Sequence, residues 1–164
     1  MRMVVISDTH HDLESIRSFL HVINSADYLV HLGDCNDDID RLRQEIKTPN
    51  IIKVRGNCDF ASNEPINKIV EINNIKYLFT HGHAFNVNSS LLSLRFYAEE
   101  NECKYVFYGH THVPATDYIY SMTFYNPGST SKPRAGSPKS YAIVEEKDGK
   151  VVVVFNRIIE YGIL

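Results

Sequence analysis

Seven side chains of metal-binding type stand directly behind short apolar runs. Asp8 and His10 follow Met3-Val4-Val5-Ile6, and Asp34 follows Val30-His31-Leu32-Gly33. Asn57 follows Ile52-Lys53-Val54-Arg55-Gly56, and His81 follows Tyr77-Leu78-Phe79-Thr80. His110 and His112 follow Val106-Phe107-Tyr108-Gly109. In open α/β sheets, ligands bind in the crevice beyond the carboxyl ends of the strands, so these five ends predict one site. Two Asp, one Asn and four His exceed the needs of one ion, since a single zinc takes about four ligands. The set suits two divalent ions if one carboxylate bridges them. Oxygen and imidazole ligands without thiolate favour Mn²⁺, Fe or Zn²⁺ over Ca²⁺ or Cu(I). Two ions about 3.5–4 Å apart clamp an in-line displacement at phosphorus and generate a nucleophile from water near neutral pH. In Asp8-x-His10 and His110-x-His112, both side chains can turn inward where extended geometry ends.

Strands must present these residues, and the pattern supplies them. Residues 3–7 read as a strand buried on both faces. Leu13, Ile16, Phe19, Leu20 and Ile23 predict one helix, started by Asp12 as its cap. A second strand spans 28–32. Asp37 and Asp38 suit a helix N-terminus, Ile39, Leu42 and Ile46 form its apolar stripe, and Pro49 stops it. A third strand spans 50–55. Strand–helix–strand–helix–strand implies right-handed βαβ units and a parallel sheet. The pattern then changes. A loop covers 57–66, and 68–72 and 75–80 flank Asn73-Asn74 as a hairpin. Asn88 or Ser89 is placed to cap a helix carrying Leu91, Leu92, Leu94 and Phe96. Further strands are expected at 104–108, 117–120 and 122–126. Asn126-Pro127-Gly128-Ser129 opens a turn-rich loop to about residue 138, and a last hairpin joins 141–146 to 151–159 through Asp148-Gly149. The expected architecture is two sheets, parallel at first and mixed later, packed together and flanked by helices.

Size and composition narrow the classes. A chain of 164 residues suits one domain with a real core. The net charge of −3 supplies no basic field for general nucleic-acid binding. The first apolar run is too short to span a membrane, and no secretory pattern precedes it. Cys35, Cys58 and Cys103 lack zinc-type spacing, which fits a reducing cytoplasm. Other candidates have plainer readings. His21 falls on a helix surface, His31 reads as a satisfied core histidine, and Cys35 and Cys58 read as packing beside the site. Arg134 reads as a solvated loop charge. The aromatics near 118–125 fit strand packing or a subunit contact. His83 either lines the site or packs nearby.

Asp8-Thr9-His10, Gly33-Asp34, Gly56-Asn57, His81-Gly82-His83 and Gly109-His110-Thr111-His112 resemble the five signature blocks of the calcineurin-like metallophosphoesterases. Gly56-Asn57-Cys58-Asp59, Asn126-Pro127-Gly128-Ser129 and the small size resemble its compact, YfcE-like phosphodiesterase branch, which also includes the metal-poor retromer subunit. The resemblance implies a four-layer αββα sandwich of two mixed sheets flanked by helices, with residues 1–164 as one domain without a cap. It implies one ion on Asp8, His10, Asp34 and His112 and a second on Asp34, Asn57, His81 and His110, with Asp34 bridging. It implies a bridging hydroxide as nucleophile and Mn²⁺ as the activating ion, with Zn²⁺, Fe or Ni²⁺ as alternatives. The expected substrate is a phosphodiester or nucleotide-like small molecule, with no stable nucleic-acid complex and no membrane, and the expected assembly is a homodimer. Many larger relatives carry His where this chain has Cys58. A thiol replaces imidazolium poorly as an acid at pH 7. Weak turnover of alkyl monoesters and better turnover of aryl phosphodiesters are therefore expected. A nuclease or nucleotide hydrolase, and a retromer-like scaffold, are the alternatives.

Overall fold

The structure, a computed structural model, describes residues 1–159. Among the described residues, ten strands form two five-stranded sheets. The first sheet contains β1 (Arg2–Ile6), β2 (Tyr28–His31), β3 (Asn50–Lys53), β9 (Ser140–Lys147) and β10 (Lys150–Arg157). Its order is β10-β9-β1-β2-β3, with β1, β2 and β3 parallel and the terminal hairpin antiparallel. The second sheet contains β4 (Asn67–Ile72), β5 (Ile75–Thr80), β6 (Tyr105–Phe107), β7 (Pro114–Ile119) and β8 (Met122–Pro127). Its order is β4-β5-β6-β8-β7, with β5, β6 and β8 parallel and β4 and β7 antiparallel at its edges. The expected two mixed sheets are therefore present.

Alternation along the strands explains the layers. Met3 and Val5 face Tyr77, Phe79, Phe107 and Tyr125 in the core between the sheets. Val4 and Ile6 point the other way, onto Ile16, Phe19, Ile23, Ile39 and Leu42. Leu78, Val106 and Phe124 line the outer face of the second sheet beneath Leu94 and Ala98. The resulting order is helices, sheet, sheet, helix. Phe107 is fully buried at the centre, and its loss to Ala costs about 3–5 kcal/mol by transfer and cavity terms.

The helices are shorter than their apolar stripes suggest. The stretch after Asp12 divides into α1 (Leu13–Ser18) and α2 (Leu20–Ile23), broken at Phe19, whose φ of −122° and ψ of 22° leave the helical region. Phe19 stacks on Tyr141 at 4.3 Å, so packing outweighs helical continuity there. Asp12 does cap α1, accepting from the Ser15 amide at 3.1 Å. α3 (Asp38–Arg41) is a single turn without a side-chain cap bond from Asp37. α4 (Leu92–Glu100) starts later than expected, and neither Asn88 nor Ser89 caps it. Ser90 Oγ accepts from the Leu92 amide, and α4 buries Leu94 and Ala98 while Leu92 and Phe96 face solvent. Asn73 and Asn74 both have positive φ, as a type I′ hairpin turn needs. No described helix is long and apolar enough to cross a membrane.

Candidate metal centre

Three parallel strands of one sheet and two of the other end at a common edge. Backbone bonds hold these ends together. The Asp8 amide donates to Gly33 O at 3.0 Å, Val54 to His31 O at 3.1 Å, and Gly109 to His81 O at 3.1 Å. The His110 amide donates across the sheets to Asp8 Oδ2 at 3.2 Å. Ser129 and Ser131 hydroxyls both donate to Asp8 O at 2.8 Å. Buried Asn126 donates to Gly109 O at 2.9 Å and to Thr111 Oγ1 at 3.0 Å, setting the turn that carries His110 and His112.

The backbone is strained at this edge. Asp8, His10, Asp34, His110 and His112 all have positive φ, between 40° and 68°. A non-glycine residue there costs on the order of 1–2 kcal/mol. Gly33 meets the same demand more cheaply at φ 96°, where a Cβ would also lie 2.5 Å from the Gly56 nitrogen. Strain of this kind clusters where side chains must converge.

One atom each from Asp8, His10, Asp34 and His112 lies within 4.8 Å of all the others. His81 Nε2 stands 3.1 Å from Asn57 Oδ1 and 3.4 Å from Asp34 Oδ1. The His110 ring sits 5.1 Å from that of His81. Asp34 faces both groups, with Oδ2 3.8 Å from His10 Nε2 and Oδ1 toward His81. His83 packs 5.4 Å from His81 and borders the cleft with Asn57, so it stands at the site rather than apart from it. The seven candidate ligands and His83 are thus brought to one edge, although Asn57 is exposed.

The donor set fits cations. His112 Nδ1 donates to Lys132 O at 2.5 Å and His81 Nδ1 to Leu32 O at 2.8 Å. In the neutral rings each Nε2 is then a lone pair, aimed at carboxylate or amide oxygen. Such an arrangement repels unless a cation stands between, and an outer carbonyl is the usual device for orienting a ligating imidazole. Asp8 Oδ1, 3.1 Å from His112 Nε2, has no well-directed hydrogen bond, and His10 Nε2 and His83 Nδ1 have none either.

The charges respond accordingly. Burial opposes ionisation of Asp8, but His112 and His81 outweigh it and hold the carboxyl below its ordinary range. Burial likewise opposes protonation of His112, and Asp8 with the Lys132 carbonyl overcomes it and raises the imidazole. A proton at His112 Nε2 thus takes the place a cation fills. Burial lowers His10, and burial with the neighbouring His81 lowers His83 and His110, so all three present neutral nitrogens.

Two structural residues escaped the sequence reading. Asp59, 7% exposed, accepts the Asp34 amide at 2.8 Å, the Asn36 amide at 2.9 Å and the Gly56 amide at 2.7 Å. It therefore ties together the loops bearing Asp34 and Asn57. An Asp three residues beyond Gly56, within reach of that residue's amide, was the available signal. Asp38, read as a helix start, is fully buried and accepts from Thr9 Oγ1 at 2.6 Å and the His11 amide at 2.9 Å. His31 behaves as a core histidine: Nδ1 accepts from the Gly33 amide at 3.1 Å, and Nε2 contacts Thr9 Oγ1 at 3.0 Å. Cys35 packs as expected, whereas Cys58 is exposed, its amide donating to Asp34 Oδ1 at 2.9 Å and its Sγ accepting from Asn57 Nδ2 at 3.4 Å.

A two-sheet sandwich with imidazoles and carboxylates at its strand ends is the architecture of a metal-dependent phosphoesterase. Residues 1–149 match the calcineurin-like phosphoesterase superfamily domain, and the chain belongs to that superfamily. It is 28% identical to the phosphodiesterase YfcE of Escherichia coli over 171 residues, covering 88% of each chain. A solved structure from Streptococcus pneumoniae TIGR4, described as a predicted phosphoesterase, superposes with a TM-score of 0.80 at 29% identity, covering 98% of this chain and 93% of that one. Vps29 of Entamoeba histolytica, solved with Zn²⁺, shares the fold at a TM-score of 0.73 and 21% identity, over 97% of this chain and all of its own.

Proposed function

We propose that the protein is a metal-dependent phosphodiesterase with two divalent cations, Mn²⁺ by preference, at the sheet edge. Asp8, His10, Asp34 and His112 would hold one, and Asp34, Asn57, His81 and His110 the other. The observation that carries this reading is the Asp34 carboxylate standing between two imidazole groups, one oxygen toward each. When bound, such ions neutralise phosphate oxygens and lower the pKa of water toward neutrality.

The protein's own residues do the rest. Lys132 O and Leu32 O fix the His112 and His81 rings, so little reorganisation remains at the moment of reaction. Burial and the neighbouring His81 lower the His83 imidazole, which makes it a poor source of an imidazolium proton near neutrality. In the metal-free chain, partial desolvation and the Asp34 carboxylate push the Cys58 thiol up to about 11, and with Asp34 neutralised a thiol still replaces imidazolium poorly as an acid. Without a strong proton donor at the leaving oxygen, esters with low-pKa leaving groups are favoured. The chain's similarity to a protein named a phosphodiesterase supports the same substrate class.

The test compares bis(p-nitrophenyl) phosphate with p-nitrophenyl phosphate, using chelated protein, Mn²⁺-restored protein and the Asp34→Asn variant. The expected result is Mn²⁺-dependent turnover, faster on the diester and lost in the variant. Faster monoester turnover overturns the leaving-group argument, and no turnover with any divalent ion overturns the enzyme reading.

A further inference from the structure

Two clefts flank the candidate centre, and Phe60 forms a wall of both. The larger, about 560 Å³, runs from Cys58 and His11 out to Asn63. That volume falls among small-molecule sites, which span about 300–1,000 Å³. It begins at the centre itself, because the Cys58 amide bonds Asp34 and His11 follows His10. Phe60 is 92% exposed, so its ring contributes almost nothing to the core. The backbone that carries it is nevertheless anchored. The preceding Asp59 carries three backbone hydrogen bonds, and Asp59 O accepts from the Ser62 amide at 3.1 Å. An exposed aromatic face on an anchored backbone, at the wall of a cleft, offers binding area for a second ring.

The charges of the larger cleft decide what fits. Arg41 pairs with Asp37 at 2.8 Å, and Lys53 pairs with Asp40 at 2.7 Å and Glu64 at 3.6 Å. Both cations are thus already matched by carboxylates, and the Asp59 carboxylate is filled by amides. Nothing there favours a further phosphate. Beside the His11 ring and the thiols of Cys35 and Cys58 at its inner end, the cleft offers one aromatic face and neutral polar edges at Ser62 and Asn63. A planar, uncharged, polar ring system satisfies both.

We propose that this cleft is the subsite for the nucleoside arm of the phosphodiester, with the base stacked on Phe60 and its phosphate at the Asp34 centre. The inference rests on the phosphodiesterase reading above and names which esters that site prefers. Phe60 is a specificity residue, since it touches the arm and not the reacting phosphorus.

The test uses the full chain loaded with Mn²⁺. Titration calorimetry compares adenosine 5′-monophosphate with ribose 5-phosphate, which share the phosphate and differ by the base. The nucleotide is expected to bind about tenfold tighter, the low range of base–aromatic stacking. Phe60→Ala should remove that preference and Phe60→Trp should keep it, with the unfolding midpoint of each unmoved. In turnover, the p-nitrophenyl ester of adenosine 5′-monophosphate should show a KM about tenfold below that of methyl p-nitrophenyl phosphate. In Phe60→Ala that ratio should fall toward one. Equal binding of the two phosphates, or a preference that survives in Phe60→Ala, overturns the subsite. If neither ester turns over with any divalent ion, the phosphodiesterase reading fails, and the calorimetric comparison still decides the subsite.

Discussion

Asp59→Ala tests whether one non-ligand carboxylate organises the site. Asp59 Oδ2 receives the Asp34 and Gly56 amides and Oδ1 receives the Asn36 amide, all within 2.9 Å. Asp34, Asn36 and Gly56 are buried, so the variant leaves three N–H groups without acceptors. An unsatisfied buried donor costs about 1–3 kcal/mol, and water from the adjoining cleft reaches some of the three, so a loss of about 3–5 kcal/mol is expected. Domain stability is about 5–15 kcal/mol in total, which makes this a large fraction. Asp59→Asn is the internal comparison. Its single oxygen can keep the Asp34 and Gly56 bonds while its NH₂ opposes the Asn36 amide, for a loss of about 1–2 kcal/mol. The assay is urea unfolding of chelated protein, read as a shift in midpoint at constant slope. Mn²⁺ affinity, measured separately, should fall more in Ala than in Asn. A loss below about 1 kcal/mol in Ala, or equal losses in both, would refute the reasoning.

His31 is fully buried, and burial pushes its pKa down to about 4. The unfolded chain, with an ordinary value of about 6.5, binds one more proton between those limits, so this contribution to stability is complete above about pH 6.5 and falls by on the order of 3 kcal/mol as pH drops to about 4. The stability difference between wild type and His31→Gln should shrink across that window, and a pH-independent difference would count against it. Cys58, with its thiol raised to about 11, should react with iodoacetamide at pH 8 about tenfold more slowly than free cysteine, because a smaller thiolate fraction is partly offset by higher nucleophilicity. Mn²⁺ should speed that labelling by neutralising Asp34, and an unchanged rate in saturating Mn²⁺ would argue against an ion there. Gly33→Ala should cost about 2–4 kcal/mol, from positive φ and a Cβ 2.5 Å from the Gly56 nitrogen, as seen in thermal melts. A melting point within about 2 °C of wild type would contradict that clash.

Much of the frame is written in local pattern. The apolar runs ending at Ile6, His31, Thr80 and Phe107 became parallel core strands, because side chains buried on both faces leave little other choice. Asn73-Asn74 and Asp148-Gly149 specify their turns through residues that tolerate positive φ. Helix extent was less legible. Leu13 to Ile23 has one continuous stripe, yet Phe19 leaves the helix to stack on Tyr141 from the far end of the chain, a partner no local window contains.

The same division holds at the site. The sequence by itself determined which residue types stand at the strand ends, since each follows directly from the run before it. Only the tertiary structure decided which atoms face one another. Asp34 stands between His10 and His81 because a parallel sheet and its neighbour end at one level. The ring nitrogens of His81 and His112 are aimed by carbonyls 49 and 20 residues away in the chain. Asp59 and Phe60 took their roles from the same source. Adjacent in sequence, one turns inward to accept three buried amides and the other stands 92% exposed beside the cleft. Hydrogen bonds and burial across long separations are properties of the folded chain, and strand patterns carry no record of them.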